Sequence, residues 1–447
     1  MSRKITVGAA LALALLLVAA SIPLTMIHAQ KQQNKLIPDL PALIGRFNAL
    51  DEIKRKVDDN FYAEPAWDVV NAAMVRGYIE GLGDAESRYL SEEEYKNYAQ
   101  RLRGEASELG ILLKYDPDVL GLVIDQVKAG STAAVSGLRP EDHIIKAESG
   151  GKALSITEEV LPNESTKAID TFYAETAVAA DTSSIAITIT YKRGGVSQQP
   201  VNIMLGSAAS TITAYMMDAW AQPGEASEKT VGYIKIHQFF KNTADQIETA
   251  VKDLSRQDAV SYILDVRGCR EGNLESVCKA IDLFAYVSRD SDAMVTVHYR
   301  DKTTRPIPST SKNIMSYTTG GFVVVLTDGR TSGVAELFAH DLRAFNPGKV
   351  YLVGEPTKGI NTVQEPFPLN SVGGAALLTV GTVVPYGVPA SGYATWNEKG
   401  VQPNTPTEAE ANAGIIYLIK GAEQQRIRAV SVLHELAELK SKSNTQP

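Results

Sequence analysis

Leu326–Glu336 reads LTDGRTSGVAE, and Gly354–Gln364 reads GEPTKGINTVQ. The first stretch leaves the apolar run GFVVVLT and opens a helical pattern over Val334–Phe345; the second leaves the apolar run VYLVGEP. Both are therefore loops at the ends of strands, where α/β proteins place chemistry. The same order holds on either side. VGYIKIHQF precedes a helix around Asp245–Leu254, and VSYILDVRG precedes one around Leu274–Val287; the strands MVTVHYR and AALLTVGTVV complete the series. Alternating strands and helices predict an α/β core.

Toward the N-terminus the period changes. From Glu108 short apolar runs alternate with Gly, Asp and Pro turns, with last strands at Ile185–Tyr191 and Val201–Leu205, which predicts a small β-rich domain. A polar loop, Gln222–Lys229, separates it from the core. Residues 35 to about 103 carry apolar side chains at helical spacing. Within them Ser91, with Glu94 three residues on, predicts a capping box. A C-terminal amphipathic helix is expected from Ala411 to about Lys440.

At the start of the chain, Arg3 and Lys4 precede Ile5–Ile27, 23 uncharged and mostly apolar residues, enough to cross a hydrocarbon core of about 30 Å. The segment exceeds the usual apolar core of a cleaved signal, and Ile27-His28-Ala29 is a poor cleavage site, so an uncleaved membrane anchor is expected, with the following domains outside. A cleaved signal is the alternative, which would leave the protein secreted.

The chain has 447 residues, 44% apolar, room for two or three domains with real cores. A net charge of −8 without long charge runs argues against nucleic acid as a partner. Cys269 and Cys278 are too few for a disulfide framework and read as small buried side chains; no His or Cys cluster has metal spacing, so no metal or other cofactor is expected. His237, His298 and His340 are scattered without a paired serine or cysteine motif and read as structural, and Asp265 is placed to pair with Arg267.

Several segments in order resemble the carboxy-terminal processing, or tail-specific, serine proteases. Leu82-Gly83-Asp84, Ser87 and Tyr89-Leu90 resemble that family's helical lead-in. Leu109-Gly110-Ile111-Leu112, Ser131-Thr132-Ala133, and Ser136-Gly137-Leu138 through Glu141-Asp142 resemble its PDZ module. Asp265-Val266-Arg267-Gly268 resembles the end of its core strand. The resemblance implies a multidomain α+β chain: residues 1–30 a signal or anchor, 31–103 a helical lead-in, 104–207 a PDZ domain, 208–410 an α/β core like that of ClpP and crotonases, and 411–447 a C-terminal helix and tail. A PDZ module implies capture of protein or peptide C-termini, the peptide adding as a strand while the loop Leu109, Gly110, Ile111 and Leu112 holds the terminal carboxylate.

That family uses a serine nucleophile and a lysine base, one of the Ser-Lys variants of the catalytic triad. Laid on this chain, the nucleophile position is Gly333 and the base position is Ile360; of the polar machinery Gln364 remains. The oxyanion region, Gly268 to Gly272, carries Arg270 and Glu271 where the family has Pro-Gly. The resemblance therefore implies a protease scaffold without its reactive atoms, binding C-termini or a partner such as an active paralogue or another copy of itself. The competing expectation is an active serine endopeptidase using a displaced Ser332 and Lys358, although Ser332 also reads as the cap of the helix that follows.

Overall fold

The computed structural model describes residues 40–104, 109–127, 131–149, 152–154, 159–160, 168–169, 171–172, 186–204, 211–217, 231–285, 293–309, 321–388, 399–407, 410–411 and 415–445. The expected anchor lies outside them. No helix among the described residues is long and apolar enough to cross a membrane.

Two compact units divide the chain, 1–71 and 72–447. In the first, α1 (Leu40–Asn60) carries the ion pairs Lys54–Asp58 and Arg55–Asp51, each one helical turn apart. The helix α2 (Trp67–Glu80) runs on into the second unit. There β1 (Arg88–Leu90) interrupts the expected helical lead-in: Tyr89 and Leu90 are buried in a strand rather than a turn. The next helix, α3 (Glu92–Arg103), opens on the predicted capping box, with Ser91 N donating to Glu94 Oε2 at 2.7 Å and Glu94 N to Ser91 Oγ at 3.2 Å.

The β-rich region is a seven-stranded antiparallel sheet. Its strands are β2 (Ile111–Asp116), β3 (Gly121–Val127), β4 (His143–Ser149), β5 (Lys152–Ala153), β6 (Ala186–Arg193), β7 (Val196–Ser197) and β8 (Val201–Met204), with the short helix α4 (Thr132–Val135) after β3. Leu113, Leu122, Ile124, Ile144, Ile187, Ile189 and Ile203 form its core.

A second sheet has the order β15-β14-β11-β10-β9. Its strands are β9 (Ile212–Met217), β10 (Val231–Ile236), β11 (Ser261–Asp265), β14 (Val323–Thr327) and β15 (Val350–Gly354); the last four are parallel and β9 is antiparallel to β10. Successive residues alternate between two cores. Ile234, Leu264, Val325 and Leu352 face α5 (Thr243–Ser255), α6 (Leu274–Asp282) and α7 (Val334–Phe345). Tyr233, Ile263, Val324 and Val353 face α8 (Ala422–Thr445). Burial on both faces is why these strands read as unbroken apolar runs. The third sheet joins β1, β12 (Ala293–Tyr299), β13 (Thr304–Pro308), β16 (Thr362–Pro368) and β17 (Ala375–Pro385), and is antiparallel.

The expected C-terminal helix starts later than Ala411. Residues 415–420 run extended along β15, where Gly354 N donates to Tyr417 O and Ile419 N to Gly354 O, and α8 begins only after Gly421, which has φ 87°. Cys269 and Cys278 are buried and free, as read from the sequence.

Candidate active site

The loop between β14 and α7 is shaped by one carboxylate. Asp328 Oδ1 accepts from Thr331 N and Gly268 N, both at 2.9 Å, tying the ends of β14 and β11 together. Burial alone would raise the Asp328 carboxyl, but the Arg330 cation and the Gly268 amide outweigh it and hold it below the usual range. Gly333, not Ser332, caps α7: it has φ 60° and ψ −121°, and its N–H donates to Glu336 Oε2 at 2.8 Å. This corrects the capping role expected of Ser332, whose own amide donates to Cys269 O at 3.1 Å.

Glu336 is fully buried and joins the two diagnostic loops. Its carboxylate accepts from Gly359 N at 2.6 Å, Ile360 N at 2.7 Å and Thr357 Oγ1, besides Gly333 N. Thr357 Oγ1 in turn accepts from Val401 N at 2.7 Å. The register between the loops is therefore set by charge-assisted hydrogen bonds, about twice the strength of neutral ones.

A cavity of about 320 Å³ opens where the loops meet, lined by Gly333, Val334, Ile360, Gln364 and Gly272. The nucleophile and base positions implied by the resemblance thus face one space, and neither carries a reactive atom. A Cβ at Gly333 would meet no atom within 4 Å. Gln364 Nε2 donates to Thr362 Oγ1 at 2.9 Å and Thr379 Oγ1 at 3.2 Å, a structural engagement. Asn361, which sequence reading passed over, also lines the cavity and is buried with neither side-chain atom hydrogen-bonded.

Ser332 and Lys358 are not brought together at this cavity. Ser332 is buried, Lys358 is exposed, no hydrogen bond joins their side chains, and neither lines the space. The Lys358 backbone N–H donates to Thr331 O at 2.9 Å. Gly268 is also elsewhere: its amide is taken by Asp328, whereas Gly272 does line the cavity. Arg270, beside them, donates to Leu113 O of the β-rich sheet. Burial pushes the Cys269 thiol up to about 12, so it is no substitute nucleophile. Among the described residues no group of three or more His, Cys, Asp or Glu is placed to hold a metal.

Asp265 does pair with Arg267, at 2.6 Å, and Lys235 Nζ and Tyr233 Oη complete the cluster at 3.2 and 2.6 Å. His237 bonds Gln126 and Thr213, each at 3.0 Å, and His340 meets Asp341 at 2.8 Å, in keeping with structural roles. In the β-rich sheet, Leu109, Ile111 and Leu112 are buried, and Gly110 has φ 78°; a Cβ there would collide with Ser131, so the close approach demands glycine.

The helix α7 holds a second buried acid. Asp341 Oδ1 accepts from Tyr386 N at 3.1 Å, while Oδ2 has no partner. Burial, opposed by the His340 contact, pushes its carboxyl from 3.8 up to about 6. The native state keeps this proton to higher pH than the unfolded chain, so Asp341 erodes stability as pH rises from about 4 to about 6. Asp341→Asn is expected to gain on the parent across that window by about 2–3 kcal/mol. Urea midpoints of both proteins on either side of the window check it; a pH-independent difference would refute it.

Residues 230–407 match the family model described as Peptidase family S41. The carboxy-terminal processing protease CtpA of Bacillus subtilis is 24% identical over 376 residues, covering 84% of this chain and 72% of that protein. The carboxyl-terminal-processing protease of Synechocystis is 27% identical over 332 residues, covering 73% and 68%. The solved structure of a photosystem II D1 C-terminal processing protease covers 86% of this chain and 90% of its own, with a TM-score of 0.50 at 17% identity, a likeness of fold. Over residues 230–407 the chain therefore matches peptidase family S41, and along most of its length it is similar to carboxy-terminal processing proteases.

Proposed function

We propose that this protein is a non-cleaving member of its family that binds polypeptide C-termini. The observation that carries the reading is the cavity lined by Gly333 and Ile360: the clasp made by Glu336 holds the two loops together, while serine and lysine are absent from the two positions where the family places them. In this reading the seven-stranded sheet is a PDZ module whose Leu109–Leu112 loop, bent at Gly110, receives the terminal carboxylate. The Ile5–Ile27 segment anchors the chain, with the folded domains outside the cell membrane. The protein works beside an active paralogue or as an oligomer of itself.

The test uses the full chain in detergent. An unstructured polypeptide is expected to remain uncut, and a fluorophosphonate probe to leave no adduct detectable by mass spectrometry. Peptides with free C-termini are expected to bind, and their amidated counterparts to bind at least about ten-fold more weakly, the loss of one charge-assisted contact set. Cleavage abolished by Ser332→Ala would replace this reading with that of a serine endopeptidase. Equal binding of free and amidated peptides would remove the C-terminus from it.

A further inference from the structure

The parallel sheet treats its two edges differently. At one edge β15 is covered: Leu352 N donates to Asn404 Oδ1 at 2.8 Å, Asn404 N donates to Leu352 O at 3.0 Å, and Gly354 is paired on both sides with residues 417 and 419. At the other edge stands β9, paired only with β10 among the described residues. His237 N donates to Thr211 O, and the register pairs Ile212 with Ile236. In an antiparallel ladder bonded and non-bonded pairs alternate, so Thr213, Tyr215 and Met217 bond inward to β10, while Ala214 and Met216 aim their N–H and C=O groups outward.

Open edges invite pairing with other chains, and proteins blunt them with lysine, proline, bulges or a covering segment. The strand Ile-Thr-Ala-Tyr-Met-Met has no charge and no proline, and its pairing with β10 runs through all six residues without a shift. A groove of about 680 Å³ runs alongside it, within the size range of ligand pockets. Its far wall is a stripe of α5: Asn242, Gln246, Thr249, Asp253 and Gln257, spaced to lie on one face. That stripe is roughly 22 Å long and six extended residues cover roughly 20 Å, so wall and edge match in length. Gln246 sits at the Ile212 end, accepting from Thr211 N at 2.8 Å, and Leu254 packs near Gly232 opposite Met216.

We propose that this groove is a second polypeptide site, taking an extended basic segment as an added strand on β9. Main-chain groups of Ala214 and Met216 pair with the incoming backbone, the mode by which peptides extend sheets elsewhere. Charge selects the occupant. Asp245 and Asp253 flank the groove two helical turns apart, and none of its described lining residues is Lys or Arg. Asp253 is shared with the exposed Arg256 at 2.6 Å, whereas Asp245 makes no ion pair among the described residues. Two turns span about 12 Å, close to the roughly 13.5 Å between residues i and i+4 of a strand. Ala250 and Met216 lie in the groove as apolar surface. The fitting segment therefore reads basic-x-apolar-x-basic.

The experiment measures fluorescence anisotropy of a labelled Thr-Lys-Thr-Val-Thr-Lys-Thr peptide, blocked at both ends, with the full chain in detergent. Blocked ends exclude carboxylate capture, so failure here leaves the reading of C-terminus binding untouched. Saturable binding is expected, lost when alternate peptide nitrogens are methylated on the bonding side and when glutamate replaces lysine. Asp245→Lys with Asp253→Lys, both on the surface, is expected to weaken it about ten-fold or more, each pair turning from attraction to repulsion. Ala214→Pro removes one outward N–H and is expected to weaken it as much, with an unchanged melting temperature. Absence of binding, equal binding of the methylated peptide, or indifference to the charge reversal would overturn the proposal. So would a dimer of the free chain that Ala214→Pro dissolves, which would assign the edge to a second copy.

Discussion

Glu336→Ala is expected to loosen both loops of the cleft at once, at a cost of about 4–5 kcal/mol, near the upper end for single substitutions. The carboxylate, itself fully buried, accepts from Gly333 N, Gly359 N, Ile360 N and Thr357 Oγ1, and alanine leaves all four donors without it. Each stranded buried donor costs about 1–3 kcal/mol, and relaxation of two glycine-containing loops recovers part of the sum. Glu336→Gln keeps one carbonyl oxygen and is expected to lose about half as much. Urea midpoints give the totals. Hydrogen exchange gives the place: the Gly359 and Ile360 amides are expected to lose protection while the β10 and β11 amides keep theirs. Unchanged exchange at Gly359 would show that the clasp is not what joins the loops.

The second large effect is expected at Asp265. Burial would raise this carboxyl, but Lys235 and Arg267 hold it well below the usual carboxylate range. Asp265→Ala leaves two largely buried cations uncompensated, for which about 3–5 kcal/mol is lost. The pH dependence has the opposite sign to that of Asp341. Asp265 supports the fold above its unfolded value near 4 and withdraws that support as pH falls below it. At neutral pH the urea midpoint of Asp265→Ala is expected to drop sharply, and the gap to the parent to narrow in acid. A loss under about 1 kcal/mol at neutral pH would place the cluster among inert surface pairs.

The parallel sheet was legible because both of its faces are buried. VVVLT and VYLVG are continuous apolar runs, and no other element of that length accounts for them. Ser91 and Glu94 were legible because a capping box is local. What escaped depends on partners distant in the chain. The three residues of β1 exist as a strand through pairing with β17, more than 280 positions away. The role of Glu336 escaped for the same reason: three of its donors lie over 20 residues on. The late start of α8 is a different kind of miss. Ile415 and Tyr417 are 1% exposed and Ile416 and Leu418 58% and 57%, a period of two that an amphipathic-helix reading overlooked. Ser332 misled because it is a favourable cap residue, yet the turn held by Asp328 and Thr331 shifts the cap to Gly333.

The backbone of Gly333 bears on how such a chain changes over time. Its φ of 60° suits glycine, and any other residue held there stores about 1–3 kcal/mol of strain, although the space for a side chain is vacant. Losing a hydroxyl-bearing residue at this corner is downhill for folding; recovering one is uphill, and repays nothing until Ile360 has changed as well. On the proposed reading of a non-cleaving binder, the corner acts as a ratchet: folding favours the glycine, and a single substitution at this position restores no chemistry.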